Sequence, residues 1–118
     1  MESEAPFLEK WRSQIRKGFL ELCVLSSIDS RGDSCGLDVM EALGRAGLEV
    51  GEGTIYPLLM RMIRDGSLEA SWEIPERGHP RKYYRLSASG RGALSAMRAE
   101  YEAGFASYKS LAAEGGAR

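Results

Sequence analysis

Residues 52–65 read Glu52-Gly53-Thr54-Ile55-Tyr56-Pro57-Leu58-Leu59-Met60-Arg61-Met62-Ile63-Arg64-Asp65, and Gly66 follows. Ile55, Leu59, Met62 and Ile63 recur at the spacing of one helix face, and Glu52, Tyr56, Met60, Arg61 and Arg64 fall largely on the other. The stretch therefore predicts a surface helix with a polar, partly basic outer face, stopped by Gly66. Pro57 conflicts with a helix interior, because it lacks an N–H and its ring crowds the carbonyl four residues back. A loose or tightened helix start is expected there.

Working upstream, Leu48-Glu49-Val50 is a short alternating connection. Before it, Leu37, Val39, Met40 and Leu43 suggest a helix over 35–46, with Gly44 and Gly47 at its end. Residues 29–34 form a turn cluster in which Ser34 is a candidate N-cap, with Asp38 in the opening helical turn. Phe7, Leu8, Trp11, Ile15, Phe19 and Leu22 predict a first helix over 7–28, with Gly18 as a candidate bend.

Working downstream, residues 68–74 alternate with period two, as a half-buried strand does. Residues 75–80 are turn-rich, and 81–86 read as a second strand, so the pair predicts a hairpin with a basic Gly/Pro tip. Tyr83 and Tyr84 should face opposite ways, one into the core. Ser87 is an N-cap candidate for a last helix over 88–113, where Leu94, Met97, Tyr101, Gly104, Tyr108 and Leu111 follow heptad a and d spacing, with Phe105 beside the seam. Such a seam would stand exposed in a monomer and calls for a second copy. Residues 114–118 are expected to fray.

Helix, helix, helix, two-stranded hairpin and long helix is the order of a winged helix-turn-helix: a mostly α fold with a small two-stranded β wing and a long C-terminal dimerisation helix. Residues 1–86 would form the DNA-binding unit, 87–113 the dimerisation helix and 114–118 a tail. In this architecture the third helix enters the major groove and the wing touches phosphates.

Composition agrees with a single domain. The chain has 118 residues, 43% hydrophobic, with a formal net charge of −1. Its basic residues are clustered: Lys10, Arg12, Arg16 and Lys17 in one run, Arg77, Arg81, Lys82 and Arg85 in another. Local patches on a neutral body suit directed phosphate contact. A structural zinc site takes about four Cys or His ligands, and only Cys23, Cys35 and His79 are available; neither metal nor cofactor is expected. His79, at the hairpin tip, reads as solvated. There is no secretory signal and no long apolar run, so the expected location is cytoplasmic, without membrane contact. No phosphate-binding loop, dinucleotide fingerprint or nucleophile–base spacing points to an enzyme. The competing reading is a winged-helix dimer that senses proteins or small molecules without touching DNA.

The run Gly53-Thr54-Ile55-Tyr56-Pro57-Leu58-Leu59, the turn Asp65-Gly66-Ser67-Leu68, and Pro80-Arg81-Lys82-Tyr83-Tyr84-Arg85-Leu86-Ser87 followed by Gly90 together resemble the PadR family of bacterial transcriptional regulators. The likeness covers residues 14–111 and is closest to the family's smaller subgroup, which has a single C-terminal helix. The chain departs from the pattern at Cys35 (usually Tyr or His), Leu37 (usually aromatic) and Met60 (commonly basic). The loss at Met60 removes one cation from the outer face, and Arg64, one turn on, is the expected compensation.

On this basis the expected DNA contacts are Thr54, Tyr56, Arg61 and Arg64 on the third helix and Arg77, Arg81 and Lys82 on the wing. Tyr56 could instead pack on helix two, Thr54 could cap locally, and Arg61 or Arg64 could pair with an acid such as Glu41. The dimer interface is expected at Trp11, Ile15, Leu94, Met97, Tyr101, Phe105, Tyr108 and Leu111. The resemblance implies repression, a palindromic operator and, as in some members, a small aromatic effector held between protomers. Phe7, Trp11, Tyr101 and Phe105 are the candidate lining, unless these aromatics only fill the dimer core. Cys35 reads as a buried thiol or a redox switch.

Overall fold

The computed structural model describes residues 5–116. The elements are α1 (Ala5–Arg31), β1 (Ser34–Cys35), α2 (Gly36–Arg45), α3 (Glu52–Arg64), β2 (Leu68–Glu73), β3 (Arg81–Leu86) and α4 (Ala88–Gly116). The sheet is antiparallel with strand order β1-β3-β2. It has three strands, not the two expected. Ser34 and Cys35 pair with Tyr84 and Tyr83, so the turn before α2 is stitched to the wing's return strand. Ser34 is accordingly buried in β1, its hydroxyl donating to the Gly32 carbonyl at 2.9 Å, and Cys35 takes the N-cap position. The Cys35 backbone N–H donates to the Asp38 carboxylate at 3.0 Å, which supplies the reciprocal half of the cap.

One core joins every layer. Val24, Leu25 and Ile28 of α1 meet Val39 and Leu43 of α2, Ile55, Leu59 and Met62 of α3, Leu68, Tyr84 and Leu86 of the sheet, and Leu94 of α4. Leu37 is exposed and takes no part in it. The α1 helix runs unbroken through Gly18, and only its last third is buried. In α3 the Gly51 carbonyl accepts from both the Thr54 and the Ile55 N–H at 3.1 Å, a shared bond common at helix ends, and the helix runs regularly from Glu52 through Pro57 instead of starting loose or tightened. Burial along β2 is confined to Leu68, because the hairpin stands away from the core; Trp72 is exposed, and Ile74 lies beyond the strand.

Ser87 caps α4, its hydroxyl accepting from the Gly90 N–H at 2.9 Å. A Cβ at Gly90 would stand 2.0 Å from the Ser67 carbonyl oxygen, so only glycine lets α4 start this close to the turn after α3. The α4 helix continues through Gly116, into the segment expected to fray; residues 1–4, 117 and 118 lie outside the described residues. Leu94, assigned to the dimer seam by its heptad position, is 3% exposed and belongs to the protomer's own core, with Met97 half-buried against it. No helix among the described residues is long and apolar enough to cross a membrane.

Candidate nucleic-acid interface

The outer face of α3 is flanked by two grooves. On the wing side, Cys35, Gly36, Leu37, Tyr56, Trp72, Pro80, Arg81, Lys82 and Tyr84 line a groove of about 430 Å³. The Tyr56 ring lies over Gly36 at the start of α2, where a Cβ would meet its edge at 2.5 Å. Tyr56 is therefore both packed on helix two and 37% exposed, and its hydroxyl makes no hydrogen bond among the described residues. Beneath it, burial pushes the Tyr84 phenol above its ordinary titration range, with Tyr56 and Cys35 adding to the effect.

The wing's cations are positioned by its register. Trp72 stands directly across from Lys82, and directly opposed residues share a face of the sheet. The Lys82 ammonium lies 5.9 Å from the Trp72 ring centre and 5.6 Å from that of Tyr84, within the range of cation–π attraction. It also comes within 3.9 Å of the Met60 sulfur. The wing thus sets a cation against the α3 position that lacks one. Arg77, His79 and Arg81 are exposed, and Arg85 is held by Glu69 at 3.2 Å.

The remaining α3 residues separate. Arg64 is exposed at the helix end and makes no ion pair among the described residues. Arg61 is ion-paired with Glu21 of α1, though its side chain stays 47% exposed; Glu41, the acid suggested for it, pairs with Arg45 at 2.8 Å. Thr54 is exposed and lines the second groove, together with α1. The structure therefore brings Tyr56, Arg81 and Lys82 around one groove and leaves Arg61 outside it. Two contributors escaped the sequence reading: Gly36, which seats Tyr56, and Trp72, which carries Lys82. The hairpin register would have exposed Trp72; Gly36 carries no signal without the helix crossing.

On the far side of α1, Trp11, Ile15, Glu100, Tyr101, Gly104, Phe105 and Tyr108 line an open groove of about 630 Å³. Trp11 is 52% exposed and Leu111 68%. Phe7, expected in this lining, does not reach it and stands 72% exposed. Cys23 is half-buried, and burial raises its thiol; Cys35 is buried, and both are free thiols. No cluster of three His, Cys, Asp or Glu residues that could hold a metal occurs among the described residues.

The profile of the PadR-like transcriptional regulator family matches residues 24–96, more than half of the chain. Transcriptional regulator Rv3488 of Mycobacterium tuberculosis is 37% identical over 62 residues, which span 52% of this chain and 57% of that protein's length. A PadR-like transcription factor structure from Bacteroides fragilis is 33% identical, with TM-score 0.75, covering 86% of this chain and 98% of that one. A PadR family regulator from Eggerthella lenta superposes with TM-score 0.83 at 25% identity, covering 94% and 96% of the two chains. The family is one of regulators, not enzymes. With the profile spanning α2, α3 and both wing strands, this chain belongs to the PadR-like family of transcriptional regulators.

Proposed function

We propose that the chain is a transcriptional repressor that binds a palindromic DNA operator as a homodimer. The observation that carries this is the groove between α3 and the wing, where Tyr56 and a half-buried Lys82 face outward around one surface. With α3 in the major groove, Tyr56 and Thr54 meet phosphates and Arg64 reads a base edge, while Arg77, Arg81 and Lys82 grip the flanking backbone. The exposed Trp11, Ile15, Tyr101, Phe105, Tyr108 and Leu111 support pairing of two copies through α1 and α4. The aromatic groove there also supports a small aromatic effector that binds between protomers and releases DNA.

Two substitutions separate positioning from reading. Tyr56→Phe removes one hydroxyl and is expected to weaken all duplexes alike by about 1 kcal/mol, up to roughly 3 for a charged acceptor. Arg64→Ala should cost about 1–3 kcal/mol on a duplex selected by the protein from a random pool, and much less on a scrambled one. Binding isotherms on the two duplexes distinguish these outcomes. If both variants keep parental stability and bind both duplexes like the parent, α3 is not the reading helix.

A further inference from the structure

The second groove beside α3 has a volume of about 570 Å³, and α1 forms its outer wall. Arg12, Arg16 and Lys17 line it from α1, facing Thr54 and Leu58 of α3. All three cations are exposed, and none makes an ion pair among the described residues. Glu9 and Glu49 line the same groove, yet neither comes within ion-pair distance of a cation. This surface lies on the side of α3 away from the wing, since Tyr56 lines the wing groove and Thr54 lines this one. It is also separate from the aromatic groove of Trp11 and Tyr101, which uses another face of α1.

A helix lying in a major groove has a phosphate backbone on each side, about 12 Å apart. The wing supplies cations for one of them. We propose that Arg12, Arg16 and Lys17 form a second phosphate-binding strip that grips the other backbone, so that α3 is clamped from both flanks. The proposal rests on α3 being the helix that enters DNA. Two features argue for DNA as the occupant: the unpaired charge, and the continuity of the groove with Thr54 at the start of the reading helix.

The test is the salt dependence of binding to a mixed-sequence duplex several helical turns long. Each phosphate neutralised contributes about 0.9 to the slope of log K against log salt. The variant Arg12→Ala/Arg16→Ala/Lys17→Ala should lower that slope by about 2–3 per protomer. Arg12→Lys/Arg16→Lys, which keeps the charge, should retain it. Thermal unfolding should match the parent in both, because the three side chains are exposed. A parental slope in the triple alanine variant overturns the strip and leaves the DNA-binding function standing. So does a slope lost equally in the lysine variant, which would mark packing and not charge. A parent that binds no duplex overturns the function and the strip together.

Discussion

At the scale of single residues, two side chains hold the start of α2 in place. Tyr56 presses on Gly36 from α3, and Asp38 accepts from the Cys35 N–H. That N–H, then the Cys35 side chain, holds the Asp38 carboxyl below its usual titration range, with Arg31 and Arg81 assisting. A carboxyl depressed in the folded state contributes stability that is complete above its unfolded value and lost as pH falls through the folded one. Asp38→Ala should therefore cost about 0.5–1 kcal/mol near neutrality, and the gap to the parent should close as pH drops below about 4. Denaturant midpoints measured across pH check this; a gap that persists in acid would show that the hydrogen bond is not its source. Asp38 was legible from its place in the opening turn. Ser34 was not: a serine before a helix signals a cap, and its burial in β1 depends on a strand 50 residues further along the chain.

At the scale of elements, Lys82 reaches from the wing toward α3. Its ammonium is shared between the rings of Trp72 and Tyr84 and the sulfur of Met60. The family's common basic residue on α3 is absent here, and the sequence suggested Arg64 as the substitute. The structure adds a nearer cation from the other side of the groove. Arg81→Ala/Lys82→Ala should weaken binding to every duplex and lower the salt slope by about 2 per protomer, since phosphate contacts carry no base information. An unchanged slope would mean that the wing does not touch DNA. The helices and the hairpin were legible because their apolar periods are long. A two-residue strand such as β1 has no period to read, and Leu94 has the right heptad position yet lies where α4 still runs over the core.

At the scale of the whole molecule, the chain is extended. Its radius of gyration is 17.5 Å, against about 13 Å for a compact chain of this length. The excess comes from α4, 29 residues long, and the N-terminal half of α1, which run past the core with their aromatic faces uncovered. The heptad spacing pointed to these aromatics, although among its positions Leu94 is buried in the protomer's own core and the exposed ones run from Tyr101 onward. A second copy related by a two-fold axis would cover these aromatic faces and give the assembly two α3 helices. Sedimentation velocity at micromolar protein, alone and with a duplex selected from a random pool, tests this most directly. The expected result is a species of twice 13.0 kDa that joins the duplex at two chains per palindrome. A stable 13.0 kDa species, or a dimer that leaves the duplex sedimenting freely, would contradict it.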